Sequence, residues 1–522
     1  MVNNIYMPDK FVREELDRLV NGLIMEKKSP GVAYSVFGPN GMLLSRGLGI
    51  ADETDANLSV DSVFRIASMS KSFTAASILK LDSEGMLSIH DPVAKTIPEY
   101  KGAVQYGDDA MPVTIAMLLS MSSGMATDDP WADRQESISR ERLRAIIDGG
   151  LRFVFRPGDG FEYSNAGFAI LGEIVNRITG KPVMEYVKKN FLEPLGLEHT
   201  GYDYRKLGKN RATGFSWYRN GWKAEPFTQP GAFSSIGGVL STVSDMAKWG
   251  IWLESAFSSE NGECDSILPK RYRRMMQTGH VAIPPTIRSG SSRGRLCMTD
   301  SSAIASYGYG LFVEHDPVYG DICYHPGGYP GFGSVMCWHK DSGLGVIVLA
   351  NGRYAPANVI GMRMLRVILA DASAVGRTIT PWKETLDAKS LILKALERLA
   401  NSSEDDLESA CKTVFSVLRP YYSENIEMDA DLEYRADLLA DALRQSGPVK
   451  IDGNGRVLVE KTSIQTEACV SWTVRCERLP LFCTVRMNPL AKPEIETIDF
   501  KVESKYPISD VLETSMTTQI AE

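Results

Sequence analysis

Val63-Phe64-Arg65-Ile66-Ala67-Ser68-Met69-Ser70-Lys71 decides the reading of this chain. It begins as an apolar, strand-like run, and from Ser68 the pattern becomes helical through Leu81, with Glu84-Gly85 as a C-terminal stop. Residues three apart share a helix face, so Lys71 can present its amine to the Ser68 hydroxyl. A serine hydroxyl is a poor nucleophile until a neighbour takes its proton, and a lysine does so only when burial or nearby charges depress its pKa. The helix start also places unpaired backbone N–H groups beside Ser68, which suits a developing oxyanion. Taken alone, the same residues read as a helix N-cap and a solvated lysine.

Two later stretches change that balance. Tyr163-Ser164-Asn165 follows the loop Arg156-Pro157-Gly158-Asp159-Gly160 and precedes a helix at Ala166. A loop there can turn a phenol and an amide toward one cleft. Near an ammonium, Tyr163 is a candidate phenolate-like general base, and Asn165 can donate and accept toward a substrate amide. The competing reading makes Tyr163 a core aromatic and Asn165 an N-cap. His325-Pro326-Gly327-Gly328 lies on a strand-like run. Pro326 cannot donate to a ladder, which predicts a sheet-edge strand, and the two glycines permit close backbone approach to a ligand. Here the alternative is a structural histidine followed by an ordinary turn.

Helical spacing marks residues 9–27, 114–122, 139–148, 166–178 and Val359 to Leu369. Strand patterns mark Val32 to Phe37 and Met42 to Leu48 around Gly38-Pro39-Asn40-Gly41, and later Tyr307 to Glu314, Ile322 to His325, Gly333 to His339 and Gly345 to Ala350. The early hairpin and the late strands are expected to share one antiparallel sheet. After Gly376, helix patterns at 385–418 and 430–445 and strand patterns at 467–475, 481–487 and 495–502 suggest a separate α+β domain.

The 522 residues allow two or three compact units. Hydrophobic residues at 43% and charged residues at 23% are ordinary for a globular protein and set aside disordered and fibrous classes. A net charge of -8 without a basic run argues against nucleic acid or an anionic membrane as partner. The eight cysteines form no C-x-x-C pair and no zinc-ligand spacing, so buried thiols in a reducing compartment are expected and no metal is. The N-terminus shows neither the basic start nor the apolar core of a signal peptide, and no apolar run reaches about 18 residues, which predicts a cytoplasmic location.

The three motifs, in this order, resemble those of the serine β-lactamase and penicillin-binding protein superfamily, in particular its class C, D-aminopeptidase, carboxypeptidase and family VIII esterase-like branch. The similarity covers about residues 9 to 374. It includes Val113 to Gly124, Phe191-Leu192-Glu193-Pro194-Leu195-Gly196-Leu197, Gly237-Gly238-Val239-Leu240-Ser241-Thr242 and Pro330-Gly331-Phe332-Gly333-Ser334. The resemblance implies an α/β sandwich, an antiparallel sheet flanked by helices, over residues 1–376 with a helical subdomain near 72–230. A C-terminal α+β domain over 385–522 would follow.

It further implies that Ser68 is acylated, that Lys71 and Tyr163 share its proton and pass it to the leaving group, and that Tyr163 helps water attack the acyl-enzyme. Asn165, His325 and Gly327 would bind substrate, and the backbone N–H groups of Ser68 and Gly328 would form the oxyanion hole without metal or organic cofactor. One departure matters. His325 stands where β-lactamases carry a lysine, removing a fixed charge for a substrate carboxylate. That predicts weak β-lactam hydrolysis and favours short D-residue-containing peptides or small esters, with a β-lactamase or DD-carboxypeptidase as the alternative.

Three other possibilities stay open. Gly290-Ser291-Ser292-Arg293-Gly294 fits a nucleophile elbow, although its flanks supply neither strand nor helix. A non-catalytic penicillin-binding sensor or scaffold that forms filaments or oligomers is the alternative of another class; a homo-oligomer is open for the enzyme too. The Ser- and Arg-rich segment 284–305 reads as a lid or a surface loop.

Overall fold

The computed structural model describes residues 6–207, 210–258, 262–284, 303–373, 379–400, 402–404 and 406–502. The chain divides into two compact units, Met1–Arg377 and Thr378–Glu522.

The first unit is built on an eight-stranded antiparallel sheet. Its spatial order is Gly41–Gly49, Gly31–Gly38, Gly345–Ala350, Phe332–His339, Gly320–Tyr329, Phe312–Asp316, Ile304–Tyr307 and Val281–Ala282. The early hairpin therefore joins the late strands through Gly31–Gly38, which pairs with Gly345–Ala350 from Val32↔Ala350 to Phe37↔Gly345. Every residue of Gly31–Gly38, Phe332–His339 and Gly345–Ala350 is buried, as expected where both sheet faces are covered. Helices Lys10–Met25 and Ala357–Asp371 pack together, the latter against the central strands, and Val243–Glu254 also packs on the sheet. The Lys71–Ser83 helix is buried on most sides although it carries polar residues such as Ser72, Thr74 and Ser77, and it lies against Asn165–Thr179.

Several expectations need correction. Tyr307 to Glu314 is two strands, because the chain turns through Gly308 to Leu311 with Gly310 at φ 72°. Ser68 does not open the α-helix directly but sits in a single 3₁₀ turn, Ala67–Ser70, that runs into Lys71–Ser83. The strand carrying Pro326 is interior, not at the edge. Its pairing with Phe332–His339 runs from Ile322 to Tyr329, whereas its pairing with Phe312–Asp316 stops at Tyr324. Pro326 is thus tolerated just beyond the point where one neighbour ends. The helical middle region also holds a hairpin, Phe215–Tyr218 with Gly221–Ala224. The segment 285–302, with the G-x-S-x-G match, lies outside the described residues.

The second unit packs helices Lys383–Glu397, Leu407–Leu418 and Leu432–Ser446 on a four-stranded antiparallel sheet in sequential order, Val459–Thr466, Cys469–Val474, Leu481–Met487 and Ile495–Val502. Trp472, Phe415 and Leu439 lie in its core. The expected single helical stretch over 385–418 is two helices, and the first strand was absent from the sequence reading.

A buried ion pair ties the first unit together near its sheet edge. The Arg65 guanidinium donates to both Glu136 carboxylate oxygens (2.8 and 2.6 Å) and to the Thr228 carbonyl (2.8 Å), and the Tyr329 hydroxyl donates to Glu136 Oε2 (2.7 Å). Both charged side chains are about 1% exposed. Removing one partner leaves the other charged and unpaired away from water, so Glu136→Ala should lower unfolding stability by about 3–5 kcal/mol. Urea unfolding of the full chain checks this, and a loss under about 1 kcal/mol would show that the pair does not hold these segments.

Candidate active site

The Ser68 segment is placed by backbone fit. Ala67, just before Ser68, holds φ 50°, an uncommon conformation for a residue with a side chain. Across from it, a Cβ added at Gly327 would lie 2.2 Å from Ser334 Oγ, 2.5 Å from the Ile66 carbonyl and 3.1 Å from Ala67 Cβ. Gly327 is therefore needed for the strand to reach the Ser68 turn, and Ser334 Oγ fastens the contact by donating to the Ile66 carbonyl (2.8 Å). This is a packing role, distinct from the substrate contact expected of Gly327. Gly328 faces the Tyr354 ring, whose Cδ1 would sit 2.9 Å from a Cβ there.

Lys71 is fully buried, and its Nζ lies 2.9 Å from Ser68 Oγ and 3.1 Å from the Ile236 carbonyl. Burial pushes the amine down to about 8, while the carboxylates of Asp129, Asp133 and Asp128 keep it from falling further. Nζ is also 5.0 Å from the Tyr163 ring centroid. The motif spacing thus brings hydroxyl and amine into contact, with the phenol beside them.

Tyr163 departs from its expected protonation. Burial, followed by Tyr307 and Asp129, pushes its phenol well above the usual value, and a side-chain hydrogen bond with Ser68 opposes this only in part. The phenol is thus kept protonated, and the phenolate-like state expected from the sequence is disfavoured. The main cause is burial, which penalises the charged phenolate, and the nearby Asp129 and Asp133 add to it.

Asn165 is the first residue of its helix, and the cap is Ser164, whose Oγ accepts from the Gly167 N–H. Asp128 supplements the cap by accepting from the Asn165 and Ala166 N–H groups (both 2.8 Å), a carboxylate at the positive end of the helix dipole. The Asn165 amide nitrogen donates to Asp128 (3.1 Å) and Asp129 (2.7 Å), leaving Oδ1 buried and without a partner among the described residues.

His325 is completely buried and uses both ring nitrogens internally. Nδ1 lies 2.6 Å from the Pro326 carbonyl and so carries the proton, and Nε2 accepts from the Tyr307 hydroxyl (3.1 Å). Burial, then the Lys71 charge, pulls the imidazole down to about 3, which makes it neutral. Both ring nitrogens of His325 thus have partners within the fold, and the ring holds Tyr307, which in turn meets the Tyr163 ring edge-on at 6.4 Å.

Sequence reading missed five contributors. Asp128, Asp129 and Asp133 fall in an irregular run, Ala126 to Asp133, whose three acids were the only signal. Asp133 accepts from the Tyr354 hydroxyl (2.7 Å), and burial raises its carboxyl to about 7. Tyr307 and Tyr354 come from opposite ends of the sheet region. Among the described residues all seven cysteines are free thiols, no metal-ligand cluster is present, and no helix is long and apolar enough to cross a membrane.

Comparison with known proteins agrees with this architecture. The structure of the octameric penicillin-binding protein homologue from Pyrococcus abyssi superposes with a TM-score of 0.57 at 20% identity, covering 94% of this chain and 98% of that one. The penicillin binding protein from Bacillus halodurans gives 0.51 at 24% identity over 68% and 98% of the respective chains. Protein flp of Staphylococcus aureus (strain N315) is 23% identical over 399 residues, 74% of this chain and 73% of that protein. Penicillin-binding protein 4* of Bacillus subtilis (strain 168) is 24% identical over 350 residues, 65% and 72% of each. The Beta-lactamase family model matches residues 12–370, and with the sheet, the flanking helices and this arrangement of motifs the chain belongs to the Beta-lactamase family.

Proposed function

We propose that this protein is a serine hydrolase that works through an acyl-enzyme on Ser68 and cleaves amide or ester bonds of small substrates, such as short peptides with D-residues or short esters. The observation that carries the reading is the buried Lys71 amine 2.9 Å from Ser68 Oγ.

With its pKa drawn down to about 8, an appreciable fraction of Lys71 is neutral near pH 7 to 8 and can accept the Ser68 proton. Oγ then attacks the scissile carbonyl, and the resulting oxyanion faces the backbone N–H groups of Ser68 and Gly328. Tyr163, kept protonated, delivers its phenolic proton to the leaving group and recovers one from the Lys71 ammonium. In the second half-reaction the Tyr163 hydroxyl takes the proton of water as it attacks the ester while passing its own to the neutral Lys71 amine, which returns a proton to Ser68 Oγ as the acyl bond breaks. Asn165 Oδ1, an acceptor left without a partner, takes an N–H from the substrate amide. An unsatisfied buried acceptor costs about 1–3 kcal/mol, so a substrate N–H there is favoured. His325 contributes no charge, which fits peptides and esters better than β-lactams bearing a carboxylate at that point.

The non-catalytic alternative is separated by turnover. Ser68→Ala and Lys71→Ala should each lower kcat/KM on p-nitrophenyl esters and D-amino-acid p-nitroanilides at least about 1000-fold, and the double variant should lose little more. Retained activity in Ser68→Ala would remove the nucleophile; a wild-type protein labelled at Ser68 by fluorophosphonate or penicillin that turns nothing over would be a sensor.

For pH, the sign follows from the base being the unprotonated amine. Below about 8 Lys71 is mostly ammonium, so kcat/KM should climb with rising pH and level off above that value. Lys71→Arg should abolish the climb along with the activity, since a guanidinium does not deprotonate. A flat profile between pH 6 and 9 would contradict the assignment.

Tyr163→Phe should slow both acylation and deacylation by about 100-fold or more, read from burst and steady-state phases of ester hydrolysis. An unchanged burst would exclude the phenol from leaving-group protonation.

A further inference from the structure

A concavity of about 620 Å³ has Tyr354, the residue against Gly328, in its wall, and its lining is unusual for this chain. Lys27, Lys28, Lys223 and Arg353 contribute four cations against one carboxylate, Glu225, in a protein whose net charge is -8. Arg353 lies 3.5 Å from Glu225. Among the described residues none of the three lysine amines is paired with an acid. Lys27 lies over the Trp217 ring at 4.5 Å, leaving the ammonium open on its other side.

The same pocket displays aromatic surface. Trp217 and Trp222 face each other across the hairpin, ring centroids 5.0 Å apart, and Tyr218 and Tyr354 are about half exposed. A two-stranded hairpin is marginal by itself, and exposing indole and phenol rings at its surface forgoes the burial that would stabilise it. The hairpin is instead anchored by backbone. The Phe215 N–H donates to the Asn351 carbonyl (2.9 Å) and the Arg353 N–H to the Phe215 carbonyl (2.7 Å). Gly352 admits the Lys28 carbonyl where a Cβ would lie 2.1 Å from it. Three distant segments are thus locked together in a way that converges their cations and rings.

Tyr354 is the shared wall. Its ring lines this pocket and also lies against Gly328, while its hydroxyl reaches Asp133. We infer that the pocket binds an anionic group carried next to a flat ring, a carboxylate or phosphate on an aromatic or similarly planar body, and that it receives the distal end of the substrate cleaved at Ser68. The binding stands on the pocket itself, and its use as a substrate subsite rests on the acyl-enzyme reading.

Calorimetry on the full-length Ser68→Ala protein, which needs no turnover, tests the binding with hippurate, phenyl phosphate and neutral hippuramide. At least one anion should bind tenfold or more tighter than hippuramide, and which one does so distinguishes carboxylate from phosphate. Lys28→Glu/Lys223→Glu, two exposed positions, should weaken that anion at least tenfold with an unchanged melting temperature; Tyr218→Ala should weaken it less. Equal binding of all three probes, or no effect of the charge reversal, overturns the inference. In the Ser68-intact protein the charge reversal should raise KM for a carboxylate-bearing aryl ester relative to its methyl ester while kcat holds. An unchanged KM ratio alongside anion binding overturns the subsite role alone, and loss of all turnover in wild type overturns the acyl-enzyme reading while leaving the calorimetry intact.

Discussion

An amine enclosed by protein on every side is costly to charge, and the chemistry proposed for this chain depends on that cost falling on Lys71. Water would solvate the ammonium and keep it protonated; the helix Lys71–Ser83, buried along nearly its whole length, denies it water. Three aspartates keep the effect moderate, so the amine titrates near the pH at which proteins work rather than far below it. Burial acts on Tyr163 in the opposite direction, raising its pKa and keeping its proton on, and Asp129 and Asp133 add to that. One dry environment thus favours the neutral form of both groups, an amine able to accept a proton and a phenol able to give one.

What holds that environment in place is a set of contacts that cross long stretches of sequence. Arg65, Glu136 and Tyr329 bring together the approach to the nucleophile, the acidic segment and the end of the strand that follows His325. Because the pair is almost entirely dry, its geometry is strict, and displacement of any one segment would leave a bare charge. The polar network therefore acts as a positional constraint on the cleft as much as a contribution to stability.

Much of this was legible in the chain itself, for local reasons. Ser68 and Lys71 meet because a helix repeats, and Gly345 to Ala350 reads as a strand from its unbroken apolar run. Other features have no one-dimensional trace. Pro326 marks a place where a ladder bond is missing, yet only the pairing shows that the neighbouring strand stops at Tyr324 while the other continues. The strand Val459–Thr466 is exposed at every position, so it shows no alternation to detect. Asp128, Asp129 and Asp133 follow no period, and their influence on Lys71 and Tyr163 comes from folding alone. His325 is singled out by its motif, with a satisfied structural histidine as the alternative; only the fold shows that Tyr307 and the Pro326 carbonyl occupy both ring nitrogens.

The seat of the nucleophile is made of absences. Ala67 holds a left-handed backbone, and the residues facing it are Gly237, whose added Cβ would come within 3.7 Å of the Ala67 backbone, and Gly327, whose added Cβ would come within 3.1 Å of the Ala67 methyl. A methyl at Gly237 would make only ordinary contact, but one at Gly327 would meet Ser334 Oγ at 2.2 Å and the Ile66 carbonyl at 2.5 Å, so the turn that carries Ser68 would have to shift. Tolerance to sequence drift should therefore be narrowest where the side chains are least.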